Sequence, residues 1–237
     1  MLRKYFITSA LTAFYLFIAT LIVFCAPFKT AFALSNEQTL IYQISLDGKN
    51  VGAQTVEIEA LPNGKHKYVE KTSLKLKKFF MTFNIQSEYE LLFDDNGVKE
   101  FSGFDTFNDE KMVASGKRFG SKFEVSYKED DEPEKRFVVD TRQYEFSDAT
   151  PPIMLFQMFE QKQVGDEVAY LDLESGSIQG IKITALKKQR DVITASYHYI
   201  GDKEFTNDND EQIQVTLNKE GHLLRLQEDD FLVELVK

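Results

Sequence analysis

The chain reads as a mainly β protein. The expected architecture is a curved antiparallel meander, a half-open or unclosed barrel wrapped around one apolar helix at about residues 152–161. Three observations predict it. Short stretches alternate apolar and polar residues along most of the sequence, the period of a half-buried strand. Glycine- and asparagine-bearing turns, such as Asp47-Gly48-Lys49-Asn50, Pro62-Asn63-Gly64 and Asp95-Asn96-Gly97, separate those stretches at hairpin spacing. One segment breaks the alternation: six of the seven residues from Ile153 to Phe159 are apolar, behind Pro151 and Pro152.

The first 33 residues stand apart. Arg3 and Lys4 precede an apolar run from Tyr5 to Phe24, Pro27 breaks it, and Ala31-Phe32-Ala33 supplies the small residues of a cleavage site. This is the pattern of a secretory signal cut after Ala33. The apolar run is also long enough for an uncleaved N-terminal membrane anchor, which is the rival expectation. Cys25, the only cysteine, has bulky Phe24 before it and reads as one more apolar residue of the signal. The expected organisation is a signal at 1–33 and a single β-rich domain at 34–237, exported to the periplasm.

That domain has no cysteine, so it carries neither disulfides nor thiolate metal sites. The whole chain has net charge −10, and three of its basic residues lie in the first 33 against no acidic ones, so the remainder carries −13. Such a surface as a whole repels phosphates and anionic lipid heads, and no nucleic-acid partner is expected. At 204 residues, the stretch left after removing 33 from 237, it can bury a core without staples.

The elements follow in order. Leu40, Tyr42, Ile44 and Leu46 alternate with polar or lesser residues, and Val56, Ile58 and Ala60 return on the far side of the first turn. Tyr68, Thr72, Leu74 and Leu76 mark the next strand, and Phe83, Ile85, Tyr89, Leu91 and Phe93 the one after it. Strands continue through Val98–Phe107, Met112–Phe119, Phe123–Tyr127 and Arg136–Asp140, then beyond the helix through Glu167–Leu173, Ile178–Lys187, Val192–Ile200, Glu211–Leu217, His222–Leu226 and Phe231–Val236. Two sheets, or one sheet with the helix inserted, both satisfy this order.

In the helix, Met154, Leu155, Phe156, Met158 and Phe159 cover about 200° of the circumference, with Gln157, Glu160, Gln161 and Ile153 sharing the rest. Thr150 or Asp148 is the expected cap. Burying each large apolar side chain is worth roughly 1.5–3 kcal/mol. One reading makes the helix a plug that fills the core. The other makes these five residues a wall of a lipid-sized cavity, with methionine adapting to a ligand of loose shape. A second aromatic group, Phe79, Phe80, Met81 and Phe83, sits where alternation briefly fails. It is either a bulge turning rings inward or the mouth of that cavity. Lys77 and Lys78 beside it either meet an anionic head group or guard a strand edge.

No catalytic constellation emerges. His66, His198 and His222 lie on separate strands without metal-ligand spacing, "GSIQG" at 176–180 is not a nucleophile elbow, and the acidic runs Asp130–Glu134 and Asn207–Glu211 read as solvated loops rather than calcium sites. No cofactor, metal or catalytic residue is expected.

"IYQISLDGKNVGAQTVEIE", residues 41–59, resembles the opening hairpin of exported bacterial β-rich domains of unknown function. "GDEVAYLDLESGSIQG" and "VTLNKEGHLLRLQEDDFLVEL" fit the same pattern. The layout is also similar to the lipoprotein-carrier folds, in which an unclosed sheet wraps helices, although this chain offers one helix where those have several. The resemblance implies a non-enzymatic binding or carrier protein for an apolar, lipid-like ligand. A structural or interaction domain with a filled core and an envelope protein partner is the alternative, and an enzyme acting on envelope polymers is third.

Overall fold

The structure is a computed structural model. It describes residues 37–78, 81–108, 110–130, 132–147, 150–173, 176–200 and 212–236. The expected signal or anchor, Cys25, Phe79, Phe80, Asp148 and the Asn207–Glu211 run lie outside the described residues, as do the side chains of Lys78 and Met81.

Among the described residues one continuous sheet contains every strand. Its members are β1 (Glu37–Leu46), β2 (Lys49–Leu61), β3 (Lys65–Lys78), β4 (Met81–Asp94), β5 (Gly97–Phe107), β6 (Glu110–Phe119), β7 (Lys122–Glu129), β8 (Lys135–Asp140), β9 (Phe146–Ser147), β10 (Glu167–Leu171), β11 (Ile178–Gln189), β12 (Val192–Ile200), β13 (Ile213–Asn218), β14 (Leu223–Glu228) and β15 (Phe231–Leu235). The helix α1 (Pro152–Gln161) is inserted between β9 and β10.

The fifteen strands run in the order β8 to β1, then β15 to β9. Each half is therefore a plain meander, and the two meanders join where the first strand pairs with the last. That pairing is antiparallel and places Ile44 opposite Val233, both fully buried. All other pairs are antiparallel except β9 with β10. The order does not return from β9 to β8, so the sheet is curled but not closed into a barrel. Side chains bridge the gap instead. The Phe137 ring of β8 lies so close to Gly176, ahead of β11, that a Cβ there would sit 2.8 Å from it.

Turn chemistry sets the register. Asp47 and Gly48 both adopt positive φ, 51° and 69°, the twist that a two-residue hairpin needs. Asp94 accepts from the Asn96 N–H at 2.7 Å and so shapes the β4–β5 turn. With register fixed, alternate residues of each strand face inward, and a single core cluster runs from Leu40 to Val233. Gly116 shows how closely this face is packed. It lies between the stacked rings of Phe101 and Phe123, whose centroids are 5.9 Å apart, and a Cβ would meet the Phe101 ring at 2.2 Å. We expect Gly116→Ala to destabilise the fold by roughly 1–3 kcal/mol through this overpacking, read as a fall in the denaturation midpoint; an unchanged midpoint would show that the ring gives way freely.

Candidate functional site

Along β3 and β4 the interior divides into three zones. The helix closes one end. Its backbone starts at Pro151, in extended conformation, with Pro152 inside the first turn. Among the described residues no side chain caps it: the Thr150 hydroxyl donates instead to the Ser147 carbonyl at 3.4 Å, and the other expected cap, Asp148, lies outside the described residues. The free C-terminal carbonyls are met from outside: Lys188 Nζ donates to the carbonyls of Glu160 and Lys162 at 2.7 and 2.6 Å. A cation suits that end of the helix dipole.

Met154, Leu155, Phe156, Met158 and Phe159 are all buried. So is Ile153, which sequence reasoning placed on the weaker face; it packs against Gly221, whose φ of 84° leaves no room for a Cβ. Phe159 is fully buried, with its ring 6.2 Å from that of Tyr197. The helix thus lies under cover on nearly all sides, leaving Glu160 and Gln161 exposed. Beside its first turn a cavity of about 10 Å³ lies among Ile58, Tyr68, Phe93, Pro152, Ile153 and Gly221. That is room for one water.

The middle zone was not foreseen. Gln54, Glu70, Thr72, Ser87 and Asp105 are buried polar residues on inward positions of β2 to β5. The register sets Gln54 opposite Thr72, Thr72 opposite Ser87 and Ser87 opposite Asp105. Glu70 lies opposite Tyr89 one step along. Gln54 Nε2 donates to Thr72 Oγ1 at 3.3 Å, Tyr68 OH donates to Glu70 Oε2 at 3.4 Å, and Tyr89 OH donates to Asp105 Oδ2. Gly103 makes the last contact feasible: the Tyr89 ring lies directly over it, 2.2 Å from where a Cβ would be.

Burial dominates the acidity of both carboxyls, because a charge loses its hydration there. It raises Glu70 to about 7, with the nearby Asp105 charge adding to the effect and hydrogen bonds from Gln54 and Tyr68 opposing it. It raises Asp105 to about 6, against the hydrogen bond from Tyr89. The folded state therefore holds these protons more tightly than the unfolded chain. Their contribution is complete below about pH 4, the unfolded range, and is lost as pH rises through 6 and 7. We expect stability to fall by on the order of 2–3 kcal/mol per carboxyl across that interval. Glu70→Gln should flatten the decline in a urea titration between pH 4 and 8; a profile identical to the parent chain would contradict it.

The far end is a rim. Leu76, Phe83 and Phe107 continue the inward parity of Leu74 and Ile85 but are only half-buried. Leu76 pairs with Phe83, and the Phe83 and Phe107 rings stack at 5.3 Å. The two groups of residues singled out from sequence are thus not neighbours on the sheet. Phe83 and Phe93, which meets the helix end, are ten residues apart on β4, about 33 Å of strand. Met81 pairs with Lys78 at the end of the same strand.

Glu70 and Asp105 were legible by parity alone. In Tyr68-Val69-Glu70-Lys71-Thr72 the acid shares a face with Tyr68 and Thr72, while Lys67 and Lys71 take the other face and pair with Glu90 and Glu88. Among the described residues no group of three or more His, Cys, Asp or Glu is placed to hold a metal ion. His222 donates from Nε2 to Gln38 Oε1 at 2.9 Å and accepts at Nδ1 from Asn218, a structural role tying β1 to the β13–β14 turn.

No curated protein matches the sequence. Among solved structures, the chain is similar to a β-barrel-like protein of the domain of unknown function DUF1849 from Brucella abortus, with TM-score 0.58 and 14% identity over 84% of this chain and 95% of that one. At that identity the likeness speaks for the fold alone. A family model covers residues 42–231, from the first paired strand to the start of the last, and by that match the chain belongs to the family of unknown function DUF6134.

Proposed function

We propose that this chain is an exported, non-enzymatic binding protein for an apolar, lipid-like ligand, admitted at the rim rather than beside the helix. The observation that carries the reading is the half-buried apolar rim at the end of β3, β4 and β5. A curled sheet with half-buried Leu76, Phe83 and Phe107 on its inner face presents an apolar mouth at that end. The full burial of α1 and the 10 Å³ cavity weigh against a ligand resting on the helix without displacing it. They favour the second reading, a filled-core structural domain with an envelope protein partner, in which the rim is an interaction surface.

The two readings separate by experiment. Native mass spectrometry of protein purified from cells should show a co-purifying lipid, and added long-chain amphiphiles should raise the melting temperature. Phe83→Asp should abolish both effects while the ligand-free melting temperature changes little, since the ring is only half-buried. A clean ligand-free mass, with no thermal response to fatty acids, alcohols or amines, would overturn the binding reading.

A further inference from the structure

The β3–β4 hairpin outruns its sheet. Pairing of β2 with β3 stops at Gly52 opposite Leu74, and pairing of β4 with β5 stops at Ile85 opposite Phe107. Asn108 holds the backbone of Asn84 on one side, its N–H reaching the Asn84 carbonyl at 2.8 Å. Beyond that, Lys75–Lys78 and Met81–Phe83 pair only with each other among the described residues. Three to four residues on each strand make an overhang of about 10–13 Å. A two-stranded ribbon gains little stability by itself in water, so an overhang of this length is a feature to be explained.

Its two faces differ. One carries Leu76 and Phe83, in line with Phe107. The other carries exposed Lys75 and Lys77 opposite the neutral residues Asn84 and Thr82. Nearer the sheet centre the same face neutralises its lysines: Lys67 pairs with Glu90 at 2.8 Å and Lys71 with Glu88 at 3.1 Å. Among the described residues no ion pair is recorded for Lys75 or Lys77, although the chain has net charge −10 and acids are plentiful. Lys78 adds a third cation to the same few residues of sequence.

We propose that this overhanging hairpin docks on an anionic lipid surface, its lysines at the head groups and its apolar face toward the acyl boundary. Apolar side chains beside cations are what such an interface selects, and each lysine near an anionic surface adds a similar increment of attraction. Docking there sets the rim against the bilayer. The inference extends the binding proposal and names the surface from which an apolar ligand would enter, but docking is readable without any ligand.

Among the described residues every core residue and strand pair lies between Glu37 and Val236, so the experiment is done on the full chain and repeated on one starting at Leu34. It contains no tryptophan, which makes Thr82→Trp, on the exposed face, a single reporter, with Phe83→Trp as a second. Vesicles of phosphatidylglycerol with brominated acyl chains should quench and blue-shift both reporters, and brominated phosphatidylcholine vesicles should not. Lys75→Glu/Lys77→Glu should weaken binding at least ~30-fold, from the loss of two lysines, with the melting temperature unchanged. Equal quenching on both lipids, none on either, or none lost on charge reversal would overturn the docking proposal, including the case where the hairpin instead captures a protein. Failure of lipid co-purification with vesicle docking intact would reject only the carrier reading.

Discussion

The fold depends on the contact between its first strand and its last. β1 pairs with β2 on one side and β15 on the other, and through it two separate meanders become one wall. The contact is dry at its centre, where Ile44 faces Val233, and it is fastened at both ends by backbone bonds, from the Asp47 N–H to the Asp230 carbonyl and from the Val236 N–H to the Ile41 carbonyl. These residues are separated by most of the described sequence. The entropy of closing so long a loop precedes any reward, so this topology belongs with the slower folders. Every other strand pair is local except the brief β9–β10 contact, so the meanders can form first and meet later.

Once the wall exists, the direction along β3 organises what it encloses. A plug of apolar helix, a belt of tyrosines and carboxyls, and an aromatic rim succeed one another at two-residue steps. The belt is the expensive part. A carboxyl placed among tyrosines keeps its proton more readily than it would in water, and it forfeits stabilisation whenever it ionises. A core of leucine would hold the same strands at lower cost. That the chain retains Glu70 and Asp105 at inward positions marks the belt as the part of the interior least explained by packing.

Much of this was legible before any coordinates. Strand alternation and turn chemistry located most of the strands and the helix to within a residue or two, because period and glycine placement are local properties. The curled, unclosed arrangement also followed, from a wide apolar arc on a lone helix, whereas the choice between one sheet and two was settled only by the pairing of β1 with β15. What escaped had non-local causes. Thr150 has the right chemistry for a helix cap, but the backbone carbonyl of Ser147 takes its hydroxyl. Ile153 sits at the edge of the helix's apolar arc, and only the arrival of the β13–β14 turn at Gly221 covers it. The helix and the aromatic group looked like one site because both are greasy; the register shows them at opposite ends of a long strand. The belt went unseen because Glu and Asp in an acidic chain read as surface, and parity was not weighed against that habit.

The termini of the described chain share one end of this wall. β1 begins and β15 finishes on the side where α1 lies, since Tyr42 meets Leu235 and the strands diverge from there toward the helix. The overhanging ribbon points the other way, some eleven residues along β3 from the level of Glu37, about 36 Å. Glu37 therefore lies at the pole opposite the ribbon, so the two ends of the wall differ in what they can present: a strand start at one, an overhanging apolar and basic ribbon at the other.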